Sequence, residues 1–212
     1  MNVGRSTARF IEPMECLPVT KLPEGAGWTW EIKLDGWRME AVKTRGKVTL
    51  YSRRAKVFNA QFGSIASALL DLADETVIDG EMVAVDEEGR PNFNLLQNFR
   101  SAGANVMYFV FDVMMYKGQD LMQGPLSERR SILRSIVGLE GQIAISETSD
   151  RPLVHMEEFI RSHGLEGIVA KRADSQYQPG LRTGVWCKHR FNRSQEFVVG
   201  GTCRVRWGWT HS

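Results

Sequence analysis

Lys33 stands at the end of an apolar stretch, Trp28 to Lys33, and just before the turn dipeptide Asp35-Gly36. A lysine so placed is either an ordinary surface cation or a positioned nucleophile. Other chemistry-bearing clusters follow it in order. Ser52-Arg53-Arg54 ends a β-like segment, Asp79-Gly80-Glu81 lies in a second, and Phe111-Asp112 lies within a very apolar third. Glu166-Gly167-Ile168-Val169-Ala170-Lys171 couples a carboxylate to a lysine through a short strand. Arg182 precedes Trp186-Cys187-Lys188-His189-Arg190, where Lys188 and Arg190 alternate onto one strand face.

The elements that must present these groups read as many strands with helices interspersed. Trp28–Lys33 and Trp37–Lys43 flank the Asp35-Gly36 turn, and Lys47–Ser52 follows as a third strand. Asn59–Leu72 is expected as a helix with Asn59 as N-cap and Phe62, Ile65, Ala66, Leu69 and Leu70 on its apolar face. Thr76–Val85, Val106–Met114, Gln142–Ser146, Ile168–Lys171, Gly184–His189 and a last one from Phe197 read as strands. Asn94–Phe99, Ser127–Val137 with Ser127 as N-cap, and Pro152–His163 stopped by Gly164 read as helices. Strand and helix do not alternate regularly, so the expected class is α+β with largely antiparallel sheets. Residues 1–11 read as a flexible arm.

The chain has 212 residues and a formal charge of only +2, so overall charge names no partner. Its three cysteines, Cys16, Cys187 and Cys203, are widely spaced and lack a CxxC pair, which argues for reduced thiols. No signal peptide or bilayer-length apolar run is visible, since Val106 to Tyr116 is short and broken by Asp112. The four histidines have no metal-like spacing. A P-loop is excluded for want of GxxxxGK[ST], and a dinucleotide-binding fold for want of GxGxxG.

In their order and spacing these motifs resemble those of the covalent nucleotidyltransferases, and among them the ATP-dependent DNA ligases, with Gln195–Gly201 similar to the bacterial end-joining type. The resemblance covers about Glu12 to Gly201. It implies an adenylation domain over 12–201, of the ATP-grasp-like nucleotidyltransferase fold, in which Lys33 takes AMP from ATP. It further implies that Glu31, Arg38, Arg53, Glu81, Phe111, Arg182, Lys188 and Arg190 bind the nucleotide, and that Glu166 holds Mg2+ or Mn2+. Phe111 would stack on adenine, with core packing as the alternative. Glu81 would bond the ribose, Lys188 and Arg190 the α-phosphate. For Glu166 the alternative is a salt bridge to Lys171 or Arg172.

The same resemblance implies nicked or broken duplex DNA as second substrate, a bacterial cytoplasmic setting and no membrane. Arg182, Lys188, Arg190 and Arg193, extended by Arg204 and Arg206, form the densest basic cluster. Family members continue into an OB-fold domain, which needs five strands. Residues 202–212 are expected as a short tail in its place, through truncation or a shifted reading frame. A partner would then supply the clamp function. An RNA ligase, a capping-type enzyme and a nucleotide-binding remnant are the competing readings.

Overall fold

The structure is a computed structural model, which describes residues 6–138, 141–149 and 151–191. In chain order the elements are β1 (Leu17–Pro18), β2 (Trp28–Lys33), β3 (Trp37–Thr44), β4 (Lys47–Ser52), α1 (Gly63–Ala68), β5 (Thr76–Val85), α2 (Phe93–Gln97), α3 (Phe99–Ala102) and β6 (Asn105–Tyr116). There follow β7 (Gln119–Asp120), α4 (Leu126–Ile136), β8 (Ile143–Ile145), β9 (Thr148–Ser149), α5 (Leu153–Ser162), β10 (Gly167–Arg172) and β11 (Trp186–Arg190). They form two largely antiparallel sheets, ordered β1-β11-β10-β2-β9 and β4-β3-β5-β6-β7, with β8 pairing parallel to β6. The α+β class expected from the sequence is the one observed.

Three apolar clusters separate the layers. Met39, Leu50, Ile65, Ile78, Leu96 and Leu133 pack the second sheet against helices α1, α2 and α4. Trp30, Ile168 and Ala170 of the first sheet pack against Leu153 and Ile160 of α5. Between the sheets lie Met14, Val42, Val77, Phe111, Tyr177 and Trp186. Each large apolar side chain so buried contributes on the order of 2 kcal/mol. The outer faces are therefore closed by helices, which leaves the inter-sheet layer as the place for a cleft.

Asp35-Gly36 does not close a hairpin. β2 pairs with β10 and β9, whereas β3 pairs with β4 and β5, so the dipeptide carries the chain from one sheet to the other. Glycine is required there by proximity: a Cβ on Gly36 would lie 2.2 Å from the Met82 carbonyl oxygen. The crossing sets Lys33 at the rim where the two sheets part.

Several local expectations shift. Helix α1 is shorter than Asn59–Leu72 and begins after Phe62. Asn59 is not its cap, because its side chain accepts from Leu50 N (2.9 Å) and donates to Val48 O (2.8 Å). Leu70 is 48% exposed, while Leu69 and Leu72 turn inward. The helix foreseen over Asn94–Phe99 is two short ones, and Asn92 caps the first by accepting from Leu95 N at 3.2 Å. Helix α4 starts at Leu126 after Pro125, because Ser127 N donates to Ala173 O instead of beginning a cap. Residues 6–11, read as part of a free arm, are packed: Ser6 N bonds Gly118 O, Ala8 N bonds Glu75, and Ile11 N bonds Glu40 Oε1 at 2.9 Å. Their anchors lie on distant strands, out of reach of local sequence reading. The strand expected from Phe197, the tail and Arg193, Arg204 and Arg206 lie outside the described residues.

Candidate active site

Alternation along β2, β10 and β11 decides what faces the cleft. Ile32, Ile168, Ala170 and Cys187 point to the α5 side. Glu31, Lys33, Val169, Lys171, Lys188 and Arg190 line the opposite face, in registered rows. Lys33 is opposite Gly167, which is opposite Arg190; Glu31 is opposite Val169, which is opposite Lys188. Gly167 keeps the central position bare, since a Cβ there would sit 2.0 Å from the His189 carbonyl oxygen. The face opens on a cleft of about 900 Å³, walled on its other side by Arg38, Glu81 and Phe111 and at one edge by residues 12–16.

At the rim, Lys33 Nζ donates to Glu166 Oε2 and, at 3.4 Å, to Leu34 O. Arg190 Nε meets the other oxygen of Glu166 at 2.7 Å. Glu166 thus bridges the expected nucleophile and a more exposed cation. The alternative partners named for it, Lys171 and Arg172, pair elsewhere, with Glu31 and Asp174 respectively. Lys188 makes no ion pair among the described residues. Burial pushes its ammonium below the ordinary lysine range, and Lys33, Arg190 and Arg182 push the same way, while Cys16 opposes them. A cation held without a partner beside two others is an arrangement that an incoming anion would complete.

On the facing wall, Arg38 is anchored through Nε and Nη2. Its guanidinium forms a bidentate pair with buried Asp79, both contacts 2.6 Å, and donates to Met14 O at 3.2 Å. Tyr177 OH also donates to Asp79, at 2.7 Å. Arg38 therefore borders the cleft as a fixed positive wall rather than a free arm. Arg53 and Arg182 come together although they are far apart in sequence: both pair with Glu15, whose carboxyl they hold below its usual range against the opposing effect of burial. Glu15 was not singled out from the sequence; an isolated glutamate near the start of a chain carries no local signal.

Glu81 lies on β5 opposite Arg38, and its carboxylate makes no hydrogen bond among the described residues. Burial raises its carboxyl to about 7, against the pull of Arg38 and Lys33. Its proton is thus held more tightly in the folded chain, so its ionisation subtracts stability as pH rises from 4.5 to about 7 and no further above that. If its carboxylate accepts from a ribose hydroxyl, the KM for ATP falls as pH rises through about 7. In Glu81→Gln this dependence is expected to flatten, measured as ATP-dependent labelling across that pH range.

The deep end is built on a β-bulge. Asp79 pairs with Asp112 and Gly80 with Val110, so Phe111 has no opposite residue and is turned into the cleft. Phe111 is only 8% exposed, with Arg38 Cζ 4.8 Å and Lys171 Nζ 4.1 Å from its ring centroid. Phe111 is thus both a core residue and part of the lining. Glu31 is buried and its carboxylate is saturated, accepting from Arg130 Nη1 (2.9 Å), Lys171 Nζ (2.9 Å) and Ser146 Oγ (3.1 Å). Its side chain is structural. Arg129 and Arg130 are the residues least legible in sequence. Adjacent arginines in an amphipathic helix read as a solvated face, yet both are nearly inaccessible, and Arg129 pairs bidentately with buried Asp112 at 2.8 and 2.9 Å.

The two-sheet frame, the basic cleft and the lysine at its rim define a nucleotidyltransferase-type catalytic domain. The chain belongs to the family described as ATP dependent DNA ligase domain, which matches residues 13–190. It is 35% identical over 176 residues to the multifunctional non-homologous end joining protein LigD of Mycolicibacterium smegmatis, covering 82% of this chain and 23% of that protein. It is 29% identical over 197 residues to the SPbeta prophage-derived DNA ligase-like protein LigB of Bacillus subtilis, covering 91% of this chain and 72% of LigB. Among solved structures, a mycobacterial DNA ligase D complexed with ATP and MES superposes with a TM-score of 0.76 at 31% identity, over 85% of this chain and 60% of that one. The chain therefore spans about a quarter of the length of the LigD relatives it matches.

Proposed function

We propose that this chain adenylates itself on Lys33 and passes the adenylate to a 5′-phosphate at a nick or break in duplex DNA. In the first step Lys33 Nζ attacks the α-phosphorus of ATP. A nitrogen–phosphorus bond forms, the bond to the bridging oxygen breaks, and pyrophosphate leaves. In the second the adenylate moves to the DNA 5′-phosphate, and in the third a 3′-hydroxyl attacks that phosphate and AMP leaves. The observation that carries this reading is the row Lys33, Gly167, Arg190 on one sheet face, with Glu166 bridging its two cations and Lys188 unpartnered beside it.

The roles follow from reach and charge. Lys188 and Arg190 hold the α-phosphate and the charge that grows on it. Attack needs a free lone pair, so as the phosphate arrives the Lys33 ammonium gives one proton to Glu166 or solvent, and a second proton leaves to solvent once the nitrogen–phosphorus bond has formed. The base occupies the deep end, against Phe111 and the main chain of Glu31, and the ribose reaches Glu81. Glu166 would hold a magnesium or manganese ion, with substrate phosphate and water as its further ligands. Such an ion would supply neutralisation of phosphate charge.

For DNA the supporting feature is the exposed loop after β4. Arg53, Arg54 and Lys56 border the cleft mouth, and Arg54 and Lys56 make no ion pair among the described residues. Arg182 stands beside them through the Glu15 it shares with Arg53, and Arg190 also lines the cleft. Charge reversal of both Arg54 and Lys56 to Glu is expected to weaken binding to nicked duplex and to lower the salt slope of log K by about 2. Titration of labelled nicked duplex at several salt concentrations reads both quantities, and an unchanged slope would remove this loop from the DNA surface. The setting proposed is strand-break repair in a bacterial cytoplasm, the process after which the LigD relatives are named. A partner that grips the duplex would raise the sealing rate.

A further inference from the structure

We propose that Arg130 is the positioning residue for the base end of the cleft. Arg130 does not line the cleft; it stands behind it, 4% exposed, on α4. From there its guanidinium reaches three separate pieces of the lining. Nη1 donates to Glu31 Oε1 on β2 at 2.9 Å and to the carbonyl of Phe111 at 3.1 Å, and Nη2 donates to the carbonyl of Ser146. Glu31, Phe111 and Ser146 all face the cleft. They come from both sheets and from the segment after β8, and Arg130 is the side chain that ties the three together.

The Phe111 contact has a specific physical cause. A bulge leaves its extra residue outside the ladder, and a buried carbonyl without a donor costs about 1–3 kcal/mol. Arg130 supplies that donor, so the bulge that turns Phe111 into the cleft is held by an arginine rather than by a strand. A planar fork with five donors can serve a carboxylate and two carbonyls at once; a lysine ammonium at the end of a flexible stem cannot match that geometry. The phosphate end has different supports. Lys33, Glu166, Lys188 and Arg190 sit on β2, β10 and β11 or at their ends, and among the described residues none of them hydrogen-bonds or ion-pairs with Arg130. Loss of Arg130 therefore loosens the base end and leaves the phosphate end in place.

This inference rests on the proposed placement of the base against Phe111. Its test is competition against ATP-dependent labelling of the protein by two probes, adenosine, which lacks the phosphates, and tripolyphosphate, which lacks the base. In Arg130→Met, inhibition by adenosine is expected to weaken at least about tenfold, and KM for ATP to rise with a much smaller change in kcat. Inhibition by tripolyphosphate stays within about twofold of wild type. Removing Arg130 leaves Glu31 paired with Lys171, so no uncompensated carboxylate is buried. Should Arg130→Met fail to fold, Arg130→Lys carries the same contrast at smaller amplitude. Equal weakening of both probes, or no change in either, would overturn the proposal. Wild-type protein that is labelled by ATP but not inhibited by adenosine would instead refute the base placement itself.

Discussion

Lys33→Ala is expected to abolish transfer of label from α-labelled ATP to the protein, with residual labelling below about one part in a thousand of wild type. The magnitude follows from the role. A residue that forms the covalent bond cannot be replaced by its neighbours, and removal of a nucleophile typically costs on the order of 10⁴–10⁶ in rate. Lys171 and Lys188 also border the cleft, yet neither substitutes. Lys171 Nζ is pinned 2.9 Å from Glu31 between the rings of Phe111 and Trp186, and Lys188 lies one row farther along the sheet. Lys33→Arg keeps the positive charge beside Glu166 but carries no accessible lone pair, since guanidinium stays protonated. It is expected to be as inactive as alanine while melting close to wild type. Labelling of Lys33→Arg would show that some other group accepts the adenylate.

Glu166→Ala is expected to lower the labelling rate at least about 100-fold. Glu166 is the shared counter-ion of Lys33 and Arg190, so its loss leaves adjacent cations at the rim of the cleft without an anion. ATP binding itself is expected to hold or tighten, because the freed cations meet the triphosphate. The signature is thus a fall in kcat with KM for ATP unchanged or lower. Glu166→Asp, which keeps the carboxylate on a shorter stem, should recover part of the rate as the divalent ion concentration is raised, and Glu166→Ala should not. A rise in KM with unchanged kcat would make Glu166 a binding residue only.

How much of this was legible in the sequence depends on whether a position is fixed by local pattern or by tertiary partners. Alternation on Trp186–Arg190 placed Lys188 and Arg190 on one face, and the structure has them there because strand periodicity is local. Gly167 and Lys33 fall in one row through the β2–β10 register, which no single strand encodes. The turn between β2 and β3 was legible, but Asp-Gly says nothing about which sheet each arm joins. The Phe111 bulge depends on register between strands separated by twenty or more residues, and no single-strand pattern encodes it. Arg38 lines the cleft as expected, but its anchoring to Asp79 and Met14 was not legible: Asp79 stood in a recognised motif, and its partner lies on another strand. Burial of Arg129 and Arg130 needs Asp112, Glu31 and two carbonyls from elsewhere in the chain, so an exposed helix face was the natural reading.

Covalent adenylation at Lys33 is the central claim, and mass measurement tests it most directly. Purified wild-type protein incubated with ATP and magnesium, then analysed intact and after proteolysis, is predicted to gain one adenylate on the peptide containing Lys33. Added pyrophosphate should remove it, because the step is reversible. An adduct mapped to Lys171, Lys188 or any other residue, or no adduct at all in protein that binds ATP, would contradict the account.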